Sequence, residues 1–489
     1  MSRPEKPQPL SLGEALFAVA SLIGLVALSY FLFGDAGANG PNQVALTVAT
    51  MIVAFMGWRR GHSLDSLRDA AIASVGSGIG AIFILLAVGA LIGTWAMSGT
   101  LVTMVHYGLQ LLHPNYFYVT AVLICAIVSA SIGSSWTVVG TVGIGLMGIS
   151  QNMGLDPGIS AAAIISGAYM GDTTSPLSDS ANLAAASAGT DLYQHVRETA
   201  LTSGLALLIS LGVFWTLGTP GDFDASDKIA LIERVFNVSL WLLVPLVVVV
   251  VLALLRFPPF TAIFLGALAG GVLAVIAAPD RVMAFAAKSG AEYGIPDWLA
   301  LLKGVWLALA SGYESATGVA VLDQLVSRGG MASMLNTIWL VITALAFGGV
   351  IEKAGVLERL ITPIIEKAKS VGALVGMTVG SVVATSVATA DQYMAIVLPG
   401  RMFKDAYAKR GLAPVVLSRT IGASGTPTSA LIPWNSCGAY MAATLGVATL
   451  SYAPYAVFNM ASPLLAILVA TIGLRTLRIA PARAGSAGG

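Results

Sequence analysis

The sequence predicts an all-α polytopic membrane protein made of two inverted-topology repeats, each with a re-entrant hairpin and a broken transmembrane helix. Three observations carry that expectation. Apolar residues make up 56% of the chain and charged ones 10%, and mean hydropathy is +0.85, whereas soluble domains carry roughly 25% charged residues. Polar islands interrupt several apolar runs, most sharply Gly-Asp-Thr-Thr-Ser-Pro-Leu-Ser-Asp-Ser-Ala-Asn at residues 171–182. Short motifs of the first half also recur, in order, in the second half.

A helix crosses the hydrocarbon core in about 17–25 apolar residues. Residues 1–10 are polar and carry Pro4, Pro7 and Pro9; residues 15–33 then read as a retained first span, because no small-residue cleavage pattern follows. Residues 44–58 and 77–95 are the next candidates, and 100–112 suit an interfacial helix. The apolar run 116–149 is interrupted by Gly133-Ser134-Ser135-Trp136-Thr137. Its length, too short for two crossings and too long for one, fits a re-entrant hairpin with its tip at Ser134 and Ser135; two short helices joined by a surface turn is the other reading.

Residues 161–170 lead into the polar island and 183–188 lead out of it. An ionised carboxylate at mid-membrane costs at least ~2.5 kcal/mol, so Asp172 and Asp179 point to function, unless the island is an extramembrane loop. Pro176 removes a backbone donor and should break the helix inside the island. Residues 191–198 read as a surface helix start, 202–217 as a span and 218–234 as a hydrophilic loop. Spans 240–255 and 260–277 are split by Arg256 and a Phe-Pro-Pro turn. Residues 279–334 suit interfacial helices. Residue 335 opens a span over 338–351; the run 374–398 is interrupted at Ala388-Thr389-Ala390-Asp391-Gln392, 418–445 has a polar centre, and 455–474 is the last crossing.

The duplication is read from four matches. Gly93 and Gly99 fall on Gly349 and Gly355; Ser134, Ser135 and Trp136 on Asp391, Gln392 and Tyr393; Gly154-Leu155-Asp156-Pro157 on Gly411-Leu412-Ala413-Pro414; and Thr174-Ser175-Pro176-Leu177, with a small shift, on Thr428-Ser429-Ala430-Leu431. Charge then inverts the halves. With a cytoplasmic N-terminus, Arg59, Arg60, Arg68, Arg197, Arg256, Arg475, Arg478 and Arg483 fall inside. The flanks of the first hairpin, around His113 and residues 154–158, lack lysine and arginine, whereas those of the second hold Lys367, Lys369, Arg401, Lys404, Lys409 and Arg410. The expected division is a first repeat at 1–217, an extramembrane linker at 218–236, a second repeat at 237–474 and a cytoplasmic tail at 475–489. Inverted repeats place a binding site near the midplane where the halves meet.

The residues available there are rich in oxygen. The first cluster is Ser134, Ser135, Asp172, Thr174, Ser175, Ser178, Asp179 and Asn182; the second is Thr389, Asp391, Gln392, Thr426, Thr428, Ser429, Asn435 and Ser436. Carboxylate, hydroxyl, amide and backbone oxygens suit a hard cation such as Na⁺, with Asp172, Asp179 and Asp391 as its charged ligands. Competition of Na⁺ and H⁺ for one carboxylate suffices for exchange. Asp179 could equally cap the second half-helix, and Asn182 could satisfy freed backbone. Trp136, Tyr393 and Trp434 could line an organic substrate's pocket or simply pack. The net charge of +1 gives no reason to expect nucleic acid. Cys125 and Cys437 read as buried small hydrophobes, and no nucleophile-base pair or histidine-rich metal set suggests an enzyme.

These motifs resemble a known family. The run Gly-Asp-x-x-Ser-Pro-Leu-Ser-Asp-x-x-Asn-Leu-Ala from Gly171, with Gly189-Thr190-Asp191-Leu192 and His195 after it, resembles the signature of NhaC-type Na⁺/H⁺ antiporters. So do Asp391-Gln392-Tyr393, the stretch 398–404, the stretch 431–435 and Arg328-Gly329-Gly330-Met331. The likeness covers about residues 93–446. It implies a secondary antiporter of the ion-transporter superfamily fold, a homodimer in a bacterial inner membrane with both termini cytoplasmic, and no cofactor beyond Na⁺ as cargo. The sequence departs from the family pattern at Thr173, where lysine is usual, and at Ala181, where threonine is typical. The family also includes exchangers that carry a small carboxylate such as malate or lactate together with ions.

Overall fold

The computed structural model describes residues 7–218, 225–288, 295–319, 323, 326–474 and 477–478. Part of the expected linker, part of the segment 279–334, and Arg475 and Arg483 of the tail lie outside the described residues. Among the described residues, regular structure is helical apart from two isolated bridges, Tyr313 with Arg328 and Leu412 with Arg478. Among the described residues, eight helices are long and apolar enough to cross a membrane, or up to ten if each of two bent pairs is one span. The chain is an integral membrane protein.

The first helices are α1 (Leu12–Phe33), α2 (Pro41–Arg59), α3 (Leu64–Ser77), α4 (Ile79–Ser98) and α5 (Thr100–Leu111). A capping box opens α1: the Ser11 hydroxyl accepts from Glu14 N–H, and the Glu14 carboxylate accepts from Ser11 N–H. Glu14 also pairs with Arg60, just past the end of α2, which ties the two helices together at one end. Exposed Leu16, Phe17 and Phe31 on α1 suit a face turned to lipid.

Next come α6 (Pro114–Ile132), α7 (Ser135–Val138), which continues through a π turn (Val139–Gly143) into α8 (Ile144–Met153), then α9 (Pro157–Thr174), α10 (Asp179–Ala188) and α11 (Leu192–Leu217). The interruption falls at Gly133 and Ser134, as the sequence suggests. The limbs, however, run from Pro114 and on to Met153, at about 1.5 Å per residue long enough each to cross. Length alone therefore does not make the hairpin re-entrant. The first broken helix parts at residues 175–178, around Pro176. Its lead-in α9 presses on α6 through glycines: a Cβ at Gly167 would stand 2.2 Å from the Val122 carbonyl oxygen, and one at Gly171 2.3 Å from Ala130 N. The surface start expected at 191–198 and the span at 202–217 are one helix, α11, capped by Asp191.

The remaining helices are α12 (Ser226–Val235), α13 (Val244–Leu254), α14 (Pro259–Ala277), α15 (Pro279–Ala287), α16 (Asp297–Ser311), α17 (Leu335–Lys353), α18 (Val356–Glu366), α19 (Val371–Thr389), α20 (Gln392–Lys409), α21 (Pro414–Ser429), α22 (Ser436–Leu445), α23 (Thr449–Tyr452) and α24 (Val457–Thr471). Landmarks recur at a constant sequence offset. Gly133 (φ 82°) stands against Ala390 (φ 57°), and Gly154 (71°) against Gly411 (66°). Ser178, the N-cap of α10, stands against Asn435, the N-cap of α22, and Gly189 (79°) against Gly446 (71°), which end them. The Thr-Ser-x-Leu match does not follow this register: at the constant offset Ser429 stands against Asp172, and the second break, 430–435, is longer than the first because α21, at 16 residues, is shorter than α9, at 18.

The halves interlock. The half-helix α10 lies on α20 and α21, while α22 lies on the π turn and α8. Trp136 and Tyr440 stack at 4.1 Å with their planes 11° apart, and the Tyr440 hydroxyl donates to the Trp136 carbonyl at 2.7 Å.

Candidate functional site

Each hairpin tip sits on the break of its own half. A Cβ at Gly133 would stand 2.6 Å from Leu177 C and 2.8 Å from Ser178 N, so the first tip rests directly on the break between α9 and α10. At the second tip, Ser436 N–H donates to the Ala390 carbonyl at 2.9 Å. Both tips, the first break and the start of α22 border one cavity of about 570 Å³, whose lining includes Ser134, Asp172, Asp179, Asp391, Gln392 and Ser436. The three aspartates singled out by sequence thus come together, from both halves of the chain.

Asp172 is the most heavily bonded of them. The Ser135 hydroxyl (2.6 Å) and N–H (3.2 Å) donate to Oδ2, and the Ser178 and Ser180 hydroxyls donate to Oδ1 at 2.5 and 3.0 Å. Burial of Asp172 to 7% exposure makes such donors necessary. A serine hydroxyl that donates to a carboxylate keeps lone pairs free, so the cluster has oxygens left to ligate a cation. Ser180 was not among the sequence candidates; its place two residues past Ser178, on the first turn of a half-helix, was the available signal.

Asp391 caps α20, with Oδ1 accepting from Met394 N–H at 2.7 Å. Ser134 does the equivalent for α7, accepting from Thr137 N–H at 3.2 Å. Asp179 does not cap α10: Ser178 does, accepting from Ala181 N–H, and Asp179 borders the cavity as an exposed residue, unlike the buried Asp172 and Asp391. Gln392 Oε1 accepts from the Ser429 hydroxyl and from Cys437 Sγ, both at 3.0 Å. Cys437 is therefore a cavity-lining donor as well as a small buried residue, whereas Cys125 is buried away from the lining; both are free thiols.

Other candidates spend their side chains on backbone. Thr174 donates to the Met170 carbonyl, Thr389 to Thr385 and Thr428 to Ser424. The Ser175 hydroxyl accepts from Leu177 N–H, and Asn182 donates to the Ser178 carbonyl. Asn435 caps α22 and donates to Ser386, which anchors the second break to α19. Thr426 offers its carbonyl to Ser429. Trp136 and Tyr393 line the cavity; Trp434 instead donates from its indole to the Val387 carbonyl. At the two departures from the family pattern, Thr173 is buried and bonded to the Tyr169 and Met170 carbonyls, and Ala181 is buried.

The arrangement gathers carboxylates and hydroxyls at helix breaks within a membrane protein, the kinds of oxygen that small hard cations take as ligands. The family model for the Na⁺/H⁺ antiporter family matches residues 12–215 and 167–474. The Na⁺/H⁺ antiporter NhaC of Alkalihalophilus pseudofirmus is 34% identical over 95% of this chain and 96% of its own. The malate-2H⁺/Na⁺-lactate antiporter of Bacillus subtilis is 34% identical over 90% and 91%, and the arginine/ornithine antiporter ArcD of Halobacterium salinarum 34% over 95% and 92%. These relatives are antiporters rather than enzymes, they match the chain almost end to end, and the chain belongs to the Na⁺/H⁺ antiporter family.

Proposed function

We propose that the protein exchanges Na⁺ for H⁺, with Asp172, Asp179 and Asp391 as the carboxylates for which the two cations compete. The observation that carries this reading is the convergence of all three on one cavity between two helix breaks. Na⁺ takes oxygen ligands. Asp172 with Ser135 and Ser178 supplies carboxylate and hydroxyl oxygens on one wall, and Asp391 with Gln392 supplies carboxylate and amide oxygens on the other. Ser134, Ser429 and Asn435 hold these groups in register; Thr174, Ser175, Asn182, Thr389, Thr426 and Thr428 stabilise the interrupted backbone. A proton on a carboxylate removes the charge that holds Na⁺, so the two cargoes exclude each other.

The same reading takes the chain as two inverted copies, 1–217 and 237–474, joined by an extramembrane linker at 218–236, with both termini and the tail 475–489 cytoplasmic in a bacterial inner membrane, and with two chains per assembly. The constant offset of tips, caps and left-handed residues supports duplication, and the lysines and arginines confined to the flanks of the second hairpin support inversion. Single cysteines at the exposed ends Gln151 and Lys409, added to a chain whose own cysteines are buried, are expected to label from opposite sides of the membrane. Labelling from one side would remove the inverted arrangement, and cross-linking in native membranes reads the two-chain state.

The exchange itself is tested in proteoliposomes. A pH gradient should drive Na⁺ movement in the wild type, and Asp172→Asn should insert but lose Na⁺ affinity by about 100-fold, corresponding to ~3 kcal/mol for a charged ligand. Wild-type exchange in that variant would take Asp172 out of the site, and a wild type that moves no Na⁺ at any pH would end the reading.

A further inference from the structure

Away from the cavity, a second set of ionisable side chains is buried where the two halves of the chain meet. His195 and Glu198 on α11 and Arg419 on α21 are all shielded from solvent. His195 Nδ1 lies 2.6 Å from the Ser418 hydroxyl, and the Arg419 guanidinium lies 3.6 Å from the Glu198 carboxylate. Gly422 makes the seat for the imidazole, since a Cβ there would stand 2.8 Å from His195 Cε1. Binding of Na⁺ at the cavity does not call for these groups, and buried charge within a membrane is costly enough that its presence points to function.

The set opens a longer polar line. His195, Glu198, Thr199, Thr202 and Ser203 fall at the spacing of one helical face, and all five are buried, whereas Leu201, Leu205, Leu208 and Ile209 on the rest of α11 are exposed. From His195 to Ser203 the line runs about 12 Å along the helix axis. At its inner end the Ser203 hydroxyl meets that of Thr173 at 3.5 Å, next in the chain to Asp172. The other end lies at the surface: Gln194 and Lys404 are exposed, and Lys404 Nζ stands 3.0 Å from where a Cβ at Gly189, before α11, would be.

Close packing of small residues accounts for part of this line. Thr202 returns its hydroxyl to the Thr199 carbonyl, the ordinary habit of threonine in a helix. Two atoms do not fit that account. His195 Nε2 and Thr199 Oγ1, four residues apart on the same face, are buried with no hydrogen-bond partner among the described residues, although a buried polar atom without a partner is destabilising. A group that takes up and releases protons needs a free lone pair, and when Nδ1–H donates to Ser418, Nε2 holds one.

We propose that the buried polar face of α11 is the proton's route between the molecular surface and Asp172, distinct from the cavity that takes Na⁺, with His195 as its proton-carrying residue. Nε2 takes a proton from water at the surface end and gives it up to the hydroxyls of Thr199 and Ser203 and to transient water between them. The imidazole is thereby regenerated, and the proton ends on the Asp172 carboxylate as Na⁺ leaves. Around His195 the other ionisable groups are Glu198 on α11, Arg419 on α21, and Lys404 and Tyr407 on α20; the acids of α9 and α10, Asp172 and Asp179, stand at the cavity, and α24 has none. The inference rests on the reading of Asp172 as a carboxylate that Na⁺ and H⁺ share.

The test compares two exchanges by the full-length protein in proteoliposomes: Na⁺ for H⁺ under a pH gradient, and labelled for unlabelled Na⁺ at equal pH, which moves no net proton. His195→Asn keeps an amide near the Nδ1 position to bond Ser418 but carries no proton. It should slow Na⁺/H⁺ exchange at least tenfold and leave Na⁺/Na⁺ exchange within twofold of the wild type. Thr199→Val, a change of equal shape that removes a hydroxyl without a partner, should melt no lower than the wild type and show the same split; it decides alone if His195→Asn fails to insert. A structural role makes both exchanges fall together, and that outcome, or Na⁺/H⁺ exchange at the wild-type rate in the variants, would overturn the proposal alone. A wild type that moves no Na⁺ in either assay ends the cavity reading and this inference with it.

Discussion

The two helix breaks are built to one plan and filled with different chemistry. In the first half the position facing the hairpin tip is Asp172, wrapped by four donor groups from Ser135, Ser178 and Ser180. At the same offset in the second half stands Ser429, bonded to Gln392, which itself stands where Ser135 does. The tips reverse the assignment: the cap is Ser134 in the first and Asp391 in the second. Each half thus brings an acid to the cavity from a position where the other half has a serine at the same offset. The backbone dictates where caps fall, because unpaired N–H and C=O groups must be satisfied wherever a helix is interrupted. It does not dictate charge, since serine, asparagine and aspartate all cap.

The comparison can be broken most violently at the first tip. Gly133→Ala puts a methyl group 2.6 Å from the backbone of Leu177 at a left-handed residue, so overpacking and strain add to about 3 kcal/mol. Because the tip rests on the break that positions Asp172, Na⁺ exchange should be lost along with thermal stability in detergent; a variant with wild-type melting would show that tip and break are not in contact. The next effect separates charge from cap at the second tip. Asparagine caps a helix as well as aspartate does, so Asp391→Asn should melt as the wild type and fail in Na⁺-coupled exchange, while Asp391→Ala should fail in exchange and also lose ~1 kcal/mol. Equal exchange in Asp391→Asn and wild type would reduce Asp391 to a structural cap.

Much of this was legible in the residues. The island at 171–182, the interruptions at 133–137 and 388–392, and the acids within them stand out because polar and helix-breaking residues are costly in lipid and so are rare there. What the sequence hid is three-dimensional. Ser180 is one serine among several until the half-helix turns it toward Asp172. Cys437 looks like an apolar filler until α22 carries it against Gln392. The role of Asp179 as a cap failed because Ser178, one residue earlier, has the extended backbone that an N-cap needs, a choice between neighbours that composition cannot make. The limbs of the first hairpin were drawn short because Pro114-Asn115 and Ser150-Gln151-Asn152 interrupt the apolar run, although both stretches lie within the helices.

The gentlest test concerns the second tip, where the left-handed residue is Ala390 rather than glycine. Left-handed backbone costs a residue with a Cβ roughly 1–2 kcal/mol, whereas glycine adds freedom to the unfolded chain worth about 0.4–1 kcal/mol, so Ala390→Gly should change stability by about 0–1.6 kcal/mol, in the stabilising direction. Its hydrogen bond from Ser436 is made by the backbone and survives the change. If the alanine is there only because the strain is tolerable, exchange should be unaltered and the melting temperature should rise slightly. If instead the methyl group keeps the Asp391 cap rigid, the variant should melt higher yet bind Na⁺ more weakly, since a freer tip holds its carboxylate less firmly. The pair of measurements, melting and Na⁺ dependence, therefore decides whether the two tips differ by drift or because the half that carries its acid on the tip needs the stiffer hinge.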